Sequence, residues 1–176
     1  RLLAEVVAAL AMKGCRIALC AFTHNAVDNA LLAIRRVAPE LDLAKIGGDT
    51  GGVEESRVEL RRARVRLGDS RRMYLPEERT VIAGTCFQFA KLSRDMSFHF
   101  AVIDEAGQMP IPHALPVMLR GKKWMFFGDH QQLPPVATAE HKDREAAEAI
   151  FARLHRLYGG HMLDTTYRMN DGVCRL

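Results

Sequence analysis

The feature that most restricts the fold is a set of short apolar runs, none of which alternates polar with apolar, spaced along the chain with helical patterning between them. They are 16–21 (RIALCA), 43–46, 80–83, 100–103 and 124–127, with a last candidate at Met162 and Leu163. Strands apolar on both faces are buried on both faces, and the covering layers must be helices. The pattern therefore predicts a parallel α/β sheet. Leu3, Val6, Val7 and Leu10 fall at helical spacing, and Gly14 stands where a helix over 2–13 would end. Val27, Ala30, Leu31, Ile34 and Val37 form a second stripe that Pro39 stops. Ala146, Ile150, Phe151, Leu154 and Leu157 form a third, which reads as core-facing.

A chain of 176 residues is one domain long. Its 48% hydrophobic and 26% charged residues exclude intrinsic disorder, and its 13 glycines exclude collagen. Every apolar run stops well short of the roughly 18 residues that a membrane span needs, and Arg1 opens an amphipathic pattern unlike a signal peptide. A soluble chain with no membrane partner is expected. Cys15, Cys20, Cys86 and Cys174 contain no C-x-x-C pair and no zinc spacing with histidine, which points to reduced thiols and a cytoplasmic setting, the bacterial cytoplasm or nucleoid. The net charge of +4 permits a polyanionic partner without demanding one. A charged segment at about 54–79, holding Arg57, Arg61, Arg62, Arg64, Arg66, Arg71 and Arg72, interrupts the pattern; it reads as a solvated insertion, with contact to a phosphate backbone as the alternative.

Three polar corners follow apolar runs. In AVIDEAGQ, Asp104 and Glu105 come directly after a strand, at the edge where parallel sheets open into a ligand crevice. Asp104 suits a magnesium-holding role and Glu105 that of a base for the attacking water. In FFGDHQQLPPV, Pro134 and Pro135 stiffen the exit and hold Gln131 and Gln132 near the strand end, where a glutamine can sense a terminal phosphate. In LDTTYRMN, Tyr167 can stack on a nucleobase and Arg168 can fork onto phosphate oxygens. Taken singly, each corner is equally a turn with a helix cap, a solvent turn or a pair of surface side chains.

Together and in order, AFTHNAVDNAL, VIAGTCF, VIDEAGQ, GDHQQLPPV and LDTTYRMN resemble the motifs of superfamily 1 helicases, nearest the branch of nuclease-helicases and nonsense-mediated-decay helicases. The resemblance implies a RecA-like P-loop ATPase domain using ATP and magnesium, and tracking 5′ to 3′ on single-stranded nucleic acid, DNA favoured over RNA. It implies that Asp104 holds magnesium through water and Glu105 activates the hydrolytic water. Gln132 would contact the γ-phosphate, Asp129 would support the nucleotide network, Tyr167 would lie against adenine and Arg168 would be an arginine finger. Gln108 would couple this site to the next motif. Thr23, His24, Asn25, Thr85 and Cys86 would line the strand track. His24 stands where many relatives have Asn, and Phe22 replaces a common proline. Asp28 reads as structural, an acid near a helix start.

The family's phosphate loop, G-x-x-x-x-G-K followed by Ser or Thr, is absent; the nearest glycine cluster, GGDTGG at 47–52, lacks the lysine. The expectation is an internal piece of a larger helicase, missing the phosphate-loop strand and a second RecA-like domain. Such a piece should show unpaired sheet edges and negligible ATP hydrolysis alone. Two rivals stand beside it: a non-catalytic nucleic-acid-binding module, and an ATPase that remodels a nucleoprotein complex without unwinding.

Overall fold

A computed structural model describes residues 1–48, 54–69, 80–93, 95–129, 131 and 148–163. Within them, one sheet of six parallel strands runs in the order β3-β2-β4-β1-β5-β6. The strands are β1 (Ile17–Ala21), β2 (Asp42–Ile46), β3 (Arg66–Gly68), β4 (Thr80–Thr85), β5 (Phe98–Ile103) and β6 (Gly121–Phe126). The helices are α1 (Leu2–Met12), α2 (His24–Val37), α3 (Glu54–Arg62), α4 (Cys86–Lys91), α5 (Ile111–Met118) and α6 (Ile150–Tyr158). The expected parallel α/β architecture is what the chain adopts.

Alternation along each central strand feeds two cores. Ile17, Leu19, Val81, Ala83, Leu43 and Val102 face α1, α2 and Leu60 of α3. Ala18, Cys20, Ile82, Ala44, Ala101 and Ile103 face α4, α5 and Ile150 of α6. Both sides of β1 and β4 are thus apolar, the arrangement expected of strands covered by helices on either face. α1 ends where Gly14 takes φ 83°, a left-handed position suited to glycine.

Two expectations need correction. Met162 and Leu163 form no strand; they lie in irregular chain, 67% and 71% exposed, with no ladder to join among the described residues. The 124–127 run is not buried on both faces: β6 pairs only with β5 among the described residues, and Lys122, Lys123 and Trp124 are exposed at that edge. Among the described residues the sheet runs without a gap from β3 to β6, and these two are its edges. The charged segment also does more than insert. It supplies α3 and the edge strand β3, where Arg66 forks onto Asp42 of β2 at 3.0 and 2.7 Å. In the third stripe Ile150 is buried and Phe151 and Leu154 pack on the core, but Leu157 is exposed; Ala146 lies outside the described residues. No helix among the described residues is long and apolar enough to cross a membrane.

Candidate nucleotide site and strand edge

The two carboxylates sit at a tightly built corner. The Asp104 N–H donates to the Cys20 carbonyl at 2.8 Å, extending the β1 ladder one step past β5. Glu105 then takes a left-handed conformation, φ 52° and ψ 37°, which costs a residue with a Cβ about 1–2 kcal/mol. Its N–H donates to Asp104 Oδ1 at 3.0 Å, and its carboxyl group is left exposed. Left-handed non-glycine residues concentrate where surrounding structure enforces them, often at functional sites. Here the enforcement is visible. The Ala106 N–H donates to the Phe127 carbonyl at 2.9 Å, and the Phe127 N–H to the Ile103 carbonyl at 2.8 Å, so the exits of β5 and β6 are laced together.

Two glycines make that closeness possible. A Cβ on Gly107 would collide with the Asp129 carbonyl, and one on Gly128 would lie 2.8 Å from the Gly107 nitrogen. Neither glycine stood out in the sequence as a site residue; the only signal was its place inside D-E-A-G-Q and G-D-H. Asp129 accepts a hydrogen bond from the Gln131 N–H at 2.9 Å, a local turn that starts the loop leaving β6. Gln108 ends the short 3-10 turn Ala106–Gln108 and is exposed.

Burial pushes the Asp104 carboxyl above the usual aspartate range; the Glu105 N–H opposes the shift and the Glu105 charge adds to it. A partly desolvated carboxylate beside a second one is a place where positive charge is favourable. Among the described residues no three His, Cys, Asp or Glu side chains gather as a metal-holding group. A lone carboxylate at a strand end suits magnesium, which keeps several waters and takes phosphate oxygens.

The residues expected to line a strand track gather at the same sheet edge, at the neighbouring strand ends. Thr23 caps α2, its hydroxyl accepting from the Ala26 N–H at 3.2 Å, and Asn25 is exposed on the first turn. His24 is half-buried; burial and then the Lys45 charge lower its pKa, and its Nδ1 has no hydrogen-bond partner among the described residues. Thr85 and Cys86 open α4 at the end of β4. Both are buried, Cys86 to 1% exposure, so the Cys86 side chain belongs to the core and not to a surface track; burial holds its thiol protonated. Asp28 is structural, but the helix dipole is not the reason: it lies past the first turn and forms a buried ion pair with Lys45 of β2.

Asp104, Glu105, Gln108 and Asp129 thus meet at the ends of β5 and β6, while Thr23, His24, Asn25, Thr85 and Cys86 lie at the ends of β1 and β4. Gln132, Tyr167 and Arg168 lie outside the described residues. A recess of about 220 Å³ opens elsewhere, at the ends of β2 and β3, lined by Lys45, Gly48, Arg57, Arg61 and Asp69 among others, and includes neither carboxylate.

A family model described as an AAA domain matches residues 52–140, a span that contains Asp104, Glu105 and Asp129. The chain is 30% identical over 176 residues to the DNA replication ATP-dependent helicase/nuclease JHS1 of Arabidopsis thaliana, covering 98% of this chain and 13% of that protein. It is 31% identical over 170 residues to the DNA replication ATP-dependent helicase/nuclease DNA2 of Xenopus laevis, covering 93% of this chain and 16% of the relative. The chain therefore spans about one-sixth or less of the length of these relatives. A solved arterivirus nonstructural protein 10 helicase in complex with DNA overlaps 78% of the chain and 28% of its own, at 12% identity and TM-score 0.47.

Proposed function

The chain belongs to the AAA domain family of superfamily 1 helicases, and on that footing we propose that it forms part of an ATP-dependent motor that tracks on single-stranded nucleic acid, DNA in preference to RNA. The observation that carries this is the corner at the end of β5, where Asp104 and Glu105 are held against the exit of β6 by paired hydrogen bonds and glycine contacts. When bound, magnesium and ATP supply a phosphoryl group activated for transfer to water.

The residues divide the work. Asp104, partly desolvated and with one oxygen accepting from the Glu105 N–H, would hold the cation and lend it negative charge. Glu105, exposed and one residue on, accepts the proton of the attacking water at its carboxylate. Asp129 fixes the start of the β6 loop, and Gln132 follows to read the terminal phosphate. Gln108 ends the turn between the two corners and couples them. For Tyr167 and Arg168, outside the described residues, the proposed roles are stacking on the adenine and neutralising phosphate oxygens as charge develops. Thr23, His24 and Asn25, with the backbone at Thr85 and Cys86, contact the strand's phosphates, a largely sequence-independent mode. A second RecA-like domain completes the cleft, and its closing and opening on the nucleotide advances the strand.

These 176 residues contain no phosphate loop, so ATP hydrolysis by them alone is expected to be negligible. The direct test of motor action is strand displacement from a 5′-tailed duplex by a longer form of the protein that carries such a loop. ATP-dependent displacement, lost in Glu105→Gln, is the expected result. Hydrolysis without displacement would favour a remodelling ATPase, and binding without hydrolysis a non-catalytic module.

A further inference from the structure

Gly47 and Gly48 follow β2 and take φ of 75° and 100°, so the chain turns over the end of the sheet in a conformation suited to glycine. The Gly47 N–H donates to the Gly68 carbonyl at 3.1 Å, which ties the exits of β2 and β3 together. Under this corner lies the buried Lys45 ammonium: a Cβ on Gly48 would sit 3.3 Å from its Nζ and 3.5 Å from the Nδ1 of His24. That His24 nitrogen is buried and has no hydrogen-bond partner among the described residues. From the other side α3 brings Arg57, whose Nη2 donates to the Gly48 carbonyl at 2.8 Å, and Arg61 one turn on. Lys45, both arginines and both glycines line the recess of about 220 Å³.

Charge and size say what such a recess takes. Asp28 pairs with Lys45 from α2, and Asp69 lines the recess past β3, so two carboxylates stand against three cations and one positive charge is in excess. A guanidinium matches phosphate oxygens as a fork, and an ammonium carries three donors, of which one is directed at Asp28. The volume falls below the roughly 300–1,000 Å³ of pockets that enclose a whole small molecule. It therefore suits a single small charged group better than a complete nucleotide.

We propose that the recess at the ends of β2 and β3 binds a phosphate group, gripped by Arg57 and Arg61 with the Lys45 ammonium beneath it. β2 lies three strand positions from β5, roughly 14 Å, so this site is separate from the Asp104 and Glu105 corner. The assignment does not depend on the motor reading. A free phosphate ion and a phosphodiester of a nucleic-acid backbone present the same oxygens, and the experiment separates them.

The test titrates the isotope-labelled 176-residue chain, which has no phosphate loop to compete, with inorganic phosphate and separately with chloride at matched ionic strength. Saturable shifts of the Gly47 and Gly48 amide resonances with phosphate and not with chloride are expected. Arg57→Gln with Arg61→Gln should weaken phosphate binding roughly 10-fold or more, the scale of lost hydrogen bonds to a charged group. Arg57→Lys with Arg61→Lys should fall between, since lysine keeps the charge and loses the fork. Oligothymidylate added to the phosphate-bound chain identifies the source: displacement of phosphate from the two glycines means that a backbone phosphodiester occupies the recess, and unchanged glycine resonances mean a free ion. Wild-type shifts that chloride reproduces, the absence of any saturable shift, or an affinity unchanged in the glutamine variant overturns the site. The comparison of phosphate with chloride needs only the wild type, so it decides the matter even if a variant does not fold.

Discussion

The carbonyl oxygen of Asp129 occupies the space that a Cβ on Gly107 would need, which locks the exits of β5 and β6 together around Glu105. Gly107→Ala must push one exit away from the other. A cost of about 1–3 kcal/mol in unfolding free energy is expected, as for other overpacked sites. Urea denaturation measures it, and an unchanged midpoint would show that the two corners are not in contact.

The Asp28–Lys45 pair ties α2 to β2 and is buried on both sides. Removing one partner leaves a buried charge without compensation, whereas removing both does not. Lys45→Met should cost about 3–5 kcal/mol, and the double variant with Asp28→Asn should recover most of that loss. Equal losses in the single and double variants would mean that shape and not charge governs the site.

Asp104 is predicted to make stability pH-dependent in an unusual direction. Its folded-state pKa is raised by burial, so as pH climbs past the ordinary aspartate value the unfolded chain ionises first and gains relative to the fold. The loss is complete once the pH exceeds the raised value. Asp104→Asn escapes it and should melt at a higher temperature than wild type at neutral pH. The gap should close below about pH 3.9, where aspartate is protonated in both states. Melting curves across pH check this; a variant less stable than wild type at neutral pH would contradict it.

Much of the fold is readable in the sequence because burial writes itself in side-chain type. The runs through Leu19 and Val102 are apolar on both faces, and they are strands covered on both faces. Edges leave weaker marks. β3 is Arg66, Leu67 and Gly68, an edge strand with no apolar run, and an ion pair from Arg66 to Asp42 helps hold it. α5 contains Pro112 and Pro116, which argue against a helix by local preference; Pro112 lies in the first turn, where no amide is needed, and tertiary packing carries the rest. At the site, residue identity pointed to Asp104 and Glu105, but the left-handed turn at Glu105 and the contact of Gly107 with Asp129 are properties of two strand ends meeting in space. Cys86 illustrates the opposite limit, since its position past β4 matched a surface motif while its side chain turned inward.

On the proposed function, Glu105 is the base of a strand-stimulated ATPase. It is tested most directly by steady-state ATP hydrolysis in a phosphate-loop-bearing form of the protein, with and without single-stranded DNA, for wild type and Glu105→Gln. The expected rate rises with the strand and falls roughly 100-fold or more in the variant, the scale of a lost general base. A variant that hydrolyses ATP at the wild-type rate would contradict it.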